Sequence, residues 1–284
     1  MSMKHLRTLL IMVLSIVCGS VFAQTNIEPG ATTVQSLEQG SEYTFNGYED
    51  YYVSPSFFTS LGDGKYRFNA ITGTYLVEAQ DHKYLQVRSC DSDGKLASLQ
   101  NDGTGAIYMI GDGIGLPNIT ENQVGWNPGY GVSMAQTSSK HYELTGLIGS
   151  EYGTTIGFQF YGQNKWWPKV CGLDGQTYYC TSNSDLIGIG KGKSVDGHDD
   201  GTLYYKDGAS IQSGDTLTIY LDCSEGIGNI KLTTSLKKAQ ATGIKGISSI
   251  PTNSEKWYSI DGKCLPVQPK SHGIFIHNGK KIVK

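Results

Sequence analysis

Proline is scarce, at 8 of 284 residues, and no segment carries a sustained apolar stripe of helical period. A bundle of long amphipathic helices is therefore excluded. Beyond the N-terminus no stretch approaches the roughly 18 apolar residues that a membrane helix needs. There is no CxxC pair, which removes the short paired spacings of a structural zinc site. No Gly-x-Ser-x-Gly elbow and no HExxH pattern is present either. Nor is one sign of charge in large excess. The 23 basic and 26 acidic residues are dispersed, leaving no electrostatic footprint for nucleic acid.

What is present begins with an export signal. Lys4, His5 and Arg7 precede an apolar run over 9–17 that only Ser15 interrupts. Val21-Phe22-Ala23 then offers small residues at the −3 and −1 positions of a cut before Gln24. This is the pattern of a cleavable signal peptide over 1–23. Cys18 ends the run, but Val17 before it is not the small residue of a lipobox, so lipidation is not expected there. Removal of the segment takes Lys4 and Arg7 with it and leaves 21 basic against 26 acidic residues. Five cysteines then remain: Cys90, Cys171, Cys180, Cys223 and Cys264. Export permits disulfides. Cys171 and Cys180 flank Asp174-Gly175 and are the candidates for a bridge across a hairpin. The odd total leaves one thiol free, or places Cys264 in a segment lost in processing.

Glycine (37) and tyrosine (18) are abundant, and strand signals dominate. Short aromatic or β-branched runs occur at 66–68, 75–77, 84–87, 107–110, 142–144, 156–161 and 217–221, with Ile156, Phe158 and Phe160 alternating at period two. Nine Asp-Gly pairs lie between them, and Asp-Gly supplies the positive φ angles of tight hairpin turns. The best short helical candidate is 54–60, after the Pro55 start. The expected fold is all-β, with two β-sandwich modules in tandem followed by a small β tail. Their boundaries are 24–103 for the N-terminal module, which opens on a polar lead-in over 24–46, and 104–236 for the larger one. A joint at 101–105 separates them. A basic linker over 237–254 leads to the tail at 255–284.

Trp257-Tyr258-Ser259-Ile260-Asp261-Gly262-Lys263 and Gly273-Ile274-Phe275-Ile276-His277-Asn278-Gly279-Lys280-Lys281 resemble the C-terminal sorting domain of the Bacteroidetes type IX secretion system. Phe275 stands where Tyr is usual, and Cys264 in the turn is a departure. Residues 47–238 resemble a domain of unknown function from Bacteroidetes surface proteins, akin to the starch-binding SusE and SusF type. The carrying residues are Gly47-Tyr48-Glu49-Asp50-Tyr51-Tyr52-Val53, Tyr75-Leu76-Val77, the Ile110-Gly111-Asp112 segment, Gly125-Trp126-Asn127, and Phe158-Gln159-Phe160-Tyr161 leading to Trp166. The resemblance implies β-sandwich modules that bind glycans at the cell surface. Those relatives are lipid-anchored through a cysteine that this chain lacks, and the sorting tail would take the place of that anchor.

Sugar recognition by a stiff β surface needs flat rings for the apolar face of a pyranose and polar groups for its hydroxyls. Trp126 and Tyr130 in a glycine-rich loop, and Asn164, Lys165, Trp166 and Trp167 after a strand, are the candidate ligand-binding residues. Adjacent Trp166 and Trp167 point to opposite faces in extended chain, so one can be packed and the other wet. Packing by all three tryptophans and stacking by at least one are both open at this point. Tandem pairs Tyr51-Tyr52 and Tyr204-Tyr205 read as strand residues with one wet face. A glycosidase needs two carboxylates across a cleft. Glu49, Asp50, Glu143 and Glu151 are the acids that turns do not explain, and nothing in the sequence pairs them. Gly111-x-Gly113-x-Gly115 lacks the helix and Lys-Ser/Thr of a phosphate loop. Asp196-Gly197-His198-Asp199-Asp200-Gly201 does not match calcium-loop spacing. Asn118-Ile119-Thr120 fits a glycosylation sequon and carries little weight. The expected activity is non-catalytic binding of polysaccharide or oligosaccharide, with no cofactor and no metal, and with the secretion machinery as the tail's partner. An adhesin-like surface protein binding other proteins is the alternative, and a divergent hydrolase the third.

Overall fold

A computed structural model describes residues 32–45, 47–48, 51–80, 84–112, 114–115, 125–148, 156–166, 168–172, 178–212, 214–239, 257–260, 262–265, 267–277 and 280–283. The signal segment, Glu49, Asp50, the sequon at 118–120, Glu151, Trp167 and the Asp174-Gly175 turn lie outside the described residues, as does most of the linker. By contacts the chain divides into two compact units, Met1–Ala239 and Gln240–Lys284.

The first unit opens with β1 (Thr32–Leu37), β2 (Glu42–Thr44), β3 (Tyr52–Val53) and β4 (Phe58–Gly62). It continues through β5 (Lys65–Phe68), β6 (Gly73–Gln80) and β7 (Tyr84–Ser89). One sheet runs β1-β6-β7-β3 and a second runs β2-β5-β4. Leu37, Tyr43, Phe58, Phe68, Val77 and Leu85, drawn from both, close an aromatic-rich core. Its rings meet edge to face, as in Phe45–Phe58 with centroids 5.1 Å apart at 88°, the arrangement that the ring quadrupole favours.

The larger part follows, with β8 (Tyr108–Asp112), β9 (Ile114–Gly115), β10 (Val132–Ser133), β11 (Ala135–Ser138) and β12 (His141–Ile148). Next come β13 (Gly157–Tyr161), β14 (Lys169–Val170), β15 (Cys180–Ser182) and β16 (Ile187–Ile189). The one-turn α1 (Lys193–Asp196), β17 (Leu203–Tyr205), β18 (Thr216–Asp222) and β19 (Ile230–Lys237) complete it. One sheet runs β10-β8-β13-β17-β16 with β14 on β13, and the other runs β11-β12-β18-β19-β15 with β9 on β12. Period-two alternation sends Phe158 and Phe160 from the first sheet, and Leu217, Ile219 and Leu221 from the second, into one interior. The all-β expectation holds, and the layers are two sandwiches with separate cores.

The two cores interlock across the 101–105 segment, since Tyr84 and Leu99 join the second and Ala135 joins the first. Strand β7 is buried on both faces. Leu85 and Val87 enter the first core, while Tyr84 enters the second. Across the junction Thr145 N donates to Ser56 Oγ at 2.7 Å, Leu99 N to Gly162 O at 2.7 Å, and Tyr142 Oη to Gly103 O at 3.0 Å. Gly103 has φ +89° and its backbone lies so close to Cys223 that a Cβ would overlap the Cys223 carbonyl. The joint at 101–105 is thus packed rather than free.

The second unit is a small antiparallel sheet of β20 (Trp257–Ser259), β21 (Cys264–Leu265), β22 (Ile274–His277) and β23 (Lys280–Val283), ordered β21-β20-β22-β23. Trp257 and His277 are cross-strand partners with rings stacked at 4.3 Å.

Three local expectations are corrected. Residues 54–60 are not helical. Phe57 N and Phe58 N both bond Ser54 O in a single turn, and β4 then begins, because burying Phe58 and Phe68 across a β4–β5 pair outweighs the Pro55 start signal. The polar lead-in supplies β1 and β2, which need only one buried face. Of the Asp-Gly pairs, the two-residue Asp63-Gly64 turn is a hairpin with φ of 51° and 70°, whereas Asp93-Gly94, Asp102-Gly103, Asp196-Gly197, Asp200-Gly201 and Asp207-Gly208 are loop turns.

Cys171 and Cys180 are bonded, with Cα atoms 4.4 Å apart, but not across a hairpin ladder. β14 pairs with β13 in one sheet, while β15 runs parallel to β19 in the other, so the bridge staples the two sheets together. Cys90, Cys223 and Cys264 are free. Replacing Cys171 and Cys180 together with serine should lower the unfolding free energy by about 2–3 kcal/mol, the entropy of a loop of this size. Urea denaturation with and without reductant checks this, and coincident curves would refute the staple.

Asp215 anchors the end of the unit. Its buried carboxylate accepts from Gln212 N at 2.9 Å, Ala239 N at 2.8 Å and Lys238 Nζ at 3.0 Å. Burial alone raises its pKa, but these donors and the Lys238 charge outweigh that and hold it below the ordinary carboxylate value. The stabilisation is therefore complete above the unfolded-state pKa and is lost as pH falls through the folded value. Asp215→Asn should cost about 2 kcal/mol at neutral pH and flatten the acid limb of stability against pH. Parallel acid limbs for the two proteins would contradict this.

Candidate functional site

Two loops carry the exposed aromatics. The first leaves the Gly111–Gly125 bridge, where Gly111 N donates to Gly125 O at 2.8 Å, and enters a 3₁₀ turn over Pro128–Tyr130. Proline at the first position suits that turn, and Asn127 caps it by accepting from Gly129 N at 3.0 Å. Trp126 and Tyr130 flank the turn, 43% and 47% exposed. The second is the wide hairpin loop between β13 and β14. Gly162 N bonds Pro168 O at 3.0 Å, and Lys165 N bonds Gln163 O at 2.8 Å. Lys165 and Trp166 stand out from it, Trp166 being 48% exposed. The Trp166 ring meets Tyr161 edge to face at 5.7 Å and 85°. Trp166 is therefore packed along one contact and wet elsewhere, so total burial of the tryptophans does not occur.

Asn164 joins the two loops. In the amide orientation that satisfies both neighbours, Nδ2 donates to Pro128 O at 2.7 Å and Oδ1 accepts from Arg88 Nη1 at 3.2 Å. Arg88 Nη2 also donates to Glu78 Oε2 at 2.7 Å. One strand residue away, Gln86 Nε2 donates to Gly131 O at 2.6 Å, closing the first loop from below. The turn carrying Trp126 and Tyr130 is therefore held from the first sandwich, through the outward polar face of β7. A Cβ at Gly131 would meet Asn164 and the Pro128 carbonyl at 3.1 Å, so any larger residue would make one of them shift.

Beneath Trp166 runs a second polar chain. Tyr161 Oη donates to Gln159 Oε1 at 2.5 Å, and Gln159 Nε2 donates to Thr202 Oγ1 at 2.7 Å. Lys169 Nζ donates to Asp200 O at 2.9 Å. Burial pushes the Tyr161 phenol up to about 12, so it remains a protonated donor across the physiological range.

The structure thus brings together Trp126, Tyr130, Asn164, Lys165 and Trp166, while Trp167 lies outside the described residues. Asn164 is spent on the scaffold rather than turned to a ligand. Gln86, Arg88 and Glu78 were not singled out in the sequence. Their signal was the alternation in Tyr84-Leu85-Gln86-Val87-Arg88, which puts the two polar side chains on one face.

Elsewhere the candidate chemistry is absorbed structurally. Burial raises the Glu143 pKa; its neighbours are Thr145, Ser56 and Tyr220 rather than a second acid. Asp196 caps Lys191 N and His198 N at 2.9 and 3.1 Å, and Asp199 pairs with Lys193 at 3.2 Å. Gly111, in β8, pairs with Phe158 of β13. Among the described residues no group of three or more His, Cys, Asp or Glu could hold a metal ion, and no helix is long and apolar enough to cross a membrane.

Residues 102–223 match a family described as a domain of unknown function (DUF5121). The matched stretch corresponds to most of the second sandwich and includes both aromatic loops. No curated protein matches the chain.

The Arg88 seam should dominate the stability of the site. Arg88→Met leaves Glu78 and Asn164 short of a partner and should cost about 3 kcal/mol, with Asn164→Ala costing about 1–2. The exposed Arg67–Glu42 pair at 3.4 Å supplies the control. Arg67→Met should cost less than 1 kcal/mol. Equal urea midpoints for the two arginine variants would remove the seam.

Proposed function

We propose that the protein is an exported, non-catalytic carbohydrate-binding protein that holds polysaccharide at the cell surface. The observation that carries this reading is the trio Trp126, Tyr130 and Trp166. The three rings are nearly half exposed and sit on loops that Asn164 ties to one another. Exposed rings on a stiff support match the apolar face of a pyranose at little ordering cost. Lys165, beside them, would reach sugar hydroxyls.

The finer assignments follow the same reading. The likeness of 47–238 to SusE/SusF-type proteins supports glycan capture within a polysaccharide-utilisation system of a Bacteroidetes cell. The N-terminal signal supports export. The four-stranded tail, with its Trp257 and Gly-Lys turn, supports recognition by the type IX secretion machinery. Single stacking sites bind weakly and gain from repetition of the ligand, which suits a polymer.

Affinity electrophoresis against plant, host and storage polysaccharides tests the reading. At least one should retard the protein, and Trp166→Ala and Trp126→Ala should each weaken binding about tenfold, equivalent to about 1.4 kcal/mol. Mobility unchanged by every polysaccharide would overturn it, and release of reducing sugar would replace it with hydrolysis.

A further inference from the structure

A groove of about 400 Å³ opens where the edge strands β15 and β16 of the two sheets come together. Thr181 and Ser182 line one wall, and Gly188, Ile189 and Tyr204 the other; Lys191 and Lys206 complete it. The volume falls within the usual range for small-ligand sites. Among the described residues no acid lines it, so two cations face a common space in a chain whose formal net charge is −3.

The walls are fixed before any ligand arrives. Cys180, on the β15 wall, is disulfide-bonded to Cys171. Ser182 Oγ donates to Ile187 O at 2.6 Å, tying β15 to β16. Tyr204 lies across Gly188, where a Cβ would overlap the ring, and His198 stacks on it at 3.5 Å and 7°. The acids nearest Lys191 in the chain are committed: Asp196 to backbone amides and Asp199 to Lys193. Lys191 makes no ion pair among the described residues, and Lys206 Nζ spends one donor on Ser184 O at 2.6 Å. Lys206 sits beside Leu186, its N donating to Leu186 O at 2.9 Å. Lys191 lies further along the same edge, on the order of 15 Å away at a strand's rise per residue. The two lysines therefore enter the groove from positions spaced along one edge.

We propose that this groove is a second binding site, separate from the aromatic face, for an acidic oligosaccharide. Carboxylates on different sugar units would meet Lys191 and Lys206, and the hydroxyls of Thr181, Ser182 and Tyr204 would hydrogen-bond the sugar between them. Uncompensated like charges in a fixed groove favour an anion over a neutral ligand, and two lysines spaced along the edge suit a chain of uronate units.

Isothermal titration of the full chain with trigalacturonate, maltotriose and inorganic sulfate tests this. Trigalacturonate should bind, maltotriose at least tenfold more weakly at this groove, and raising sodium chloride from 50 to 500 mM should weaken the acidic ligand alone. Lys191→Ala and Lys206→Ala should each weaken trigalacturonate at least fivefold, whereas the distant surface variant Lys95→Ala should not. Should Lys206→Ala fail to fold, Lys191→Ala decides alone, since that side chain makes no bond among the described residues. No binding, equal binding of maltotriose that survives Trp166→Ala, indifference to Lys191→Ala, or full competition by sulfate would each overturn the proposal. Neutral-glycan binding lost on Trp166→Ala reads the aromatic face instead, so failure at one site is distinguishable from failure at the other.

Discussion

Two polar side chains on a doubly buried strand organise this molecule. Gln86 and Arg88 occupy the face of β7 turned away from the first core. That face is covered by the loops of the second sandwich. A buried guanidinium is costly unless its donors find acceptors. Glu78 and Asn164 supply them for Nη2 and Nη1, Nε having no partner among the described residues, and Gly131 O serves Gln86. The result specifies where the aromatic loops can sit. Apolar packing across the junction would hold the sandwiches together but would permit sliding, whereas directed hydrogen bonds fix one register.

Much of the architecture was legible because it depends on near neighbours in the chain. Alternation in Ile156–Phe158–Phe160 located β13, and the turn preference of Asp63-Gly64 located a hairpin. The exposed aromatics Trp126, Tyr130 and Trp166 were legible as candidates because glycine-rich or post-strand loops seldom bury such large rings. What escaped was non-local. Nothing near Arg88 in sequence announces Asn164, seventy-six positions away, and the meeting depends on how two sheets stack. The same limit applies to Cys171 and Cys180. Their proximity could be read from spacing, but their membership of different sheets follows from β15 pairing with Ile230–Leu232. The 54–60 segment failed for a related reason, since the tertiary demand for Phe57 and Phe58 in the core overrode a local start signal.

The aromatic face and the cationic groove suit different partners. Rings on loops tolerate many neutral sugars, because stacking is indifferent to most hydroxyl patterns. A groove with fixed walls and two lysines would, as proposed, select for charge. Together they would let one sandwich combine a permissive contact with a discriminating one.

A strand whose two faces belong to two interiors cannot be lost by one and kept by the other. Peeling β7 away would bare Leu85 and Val87 on one side and Tyr84 with Arg88 on the other, forfeiting both cores at once. The two sandwiches are therefore one cooperative folding unit, despite separate hydrophobic clusters. A chain divided at 103/104 would leave each half without part of its interior.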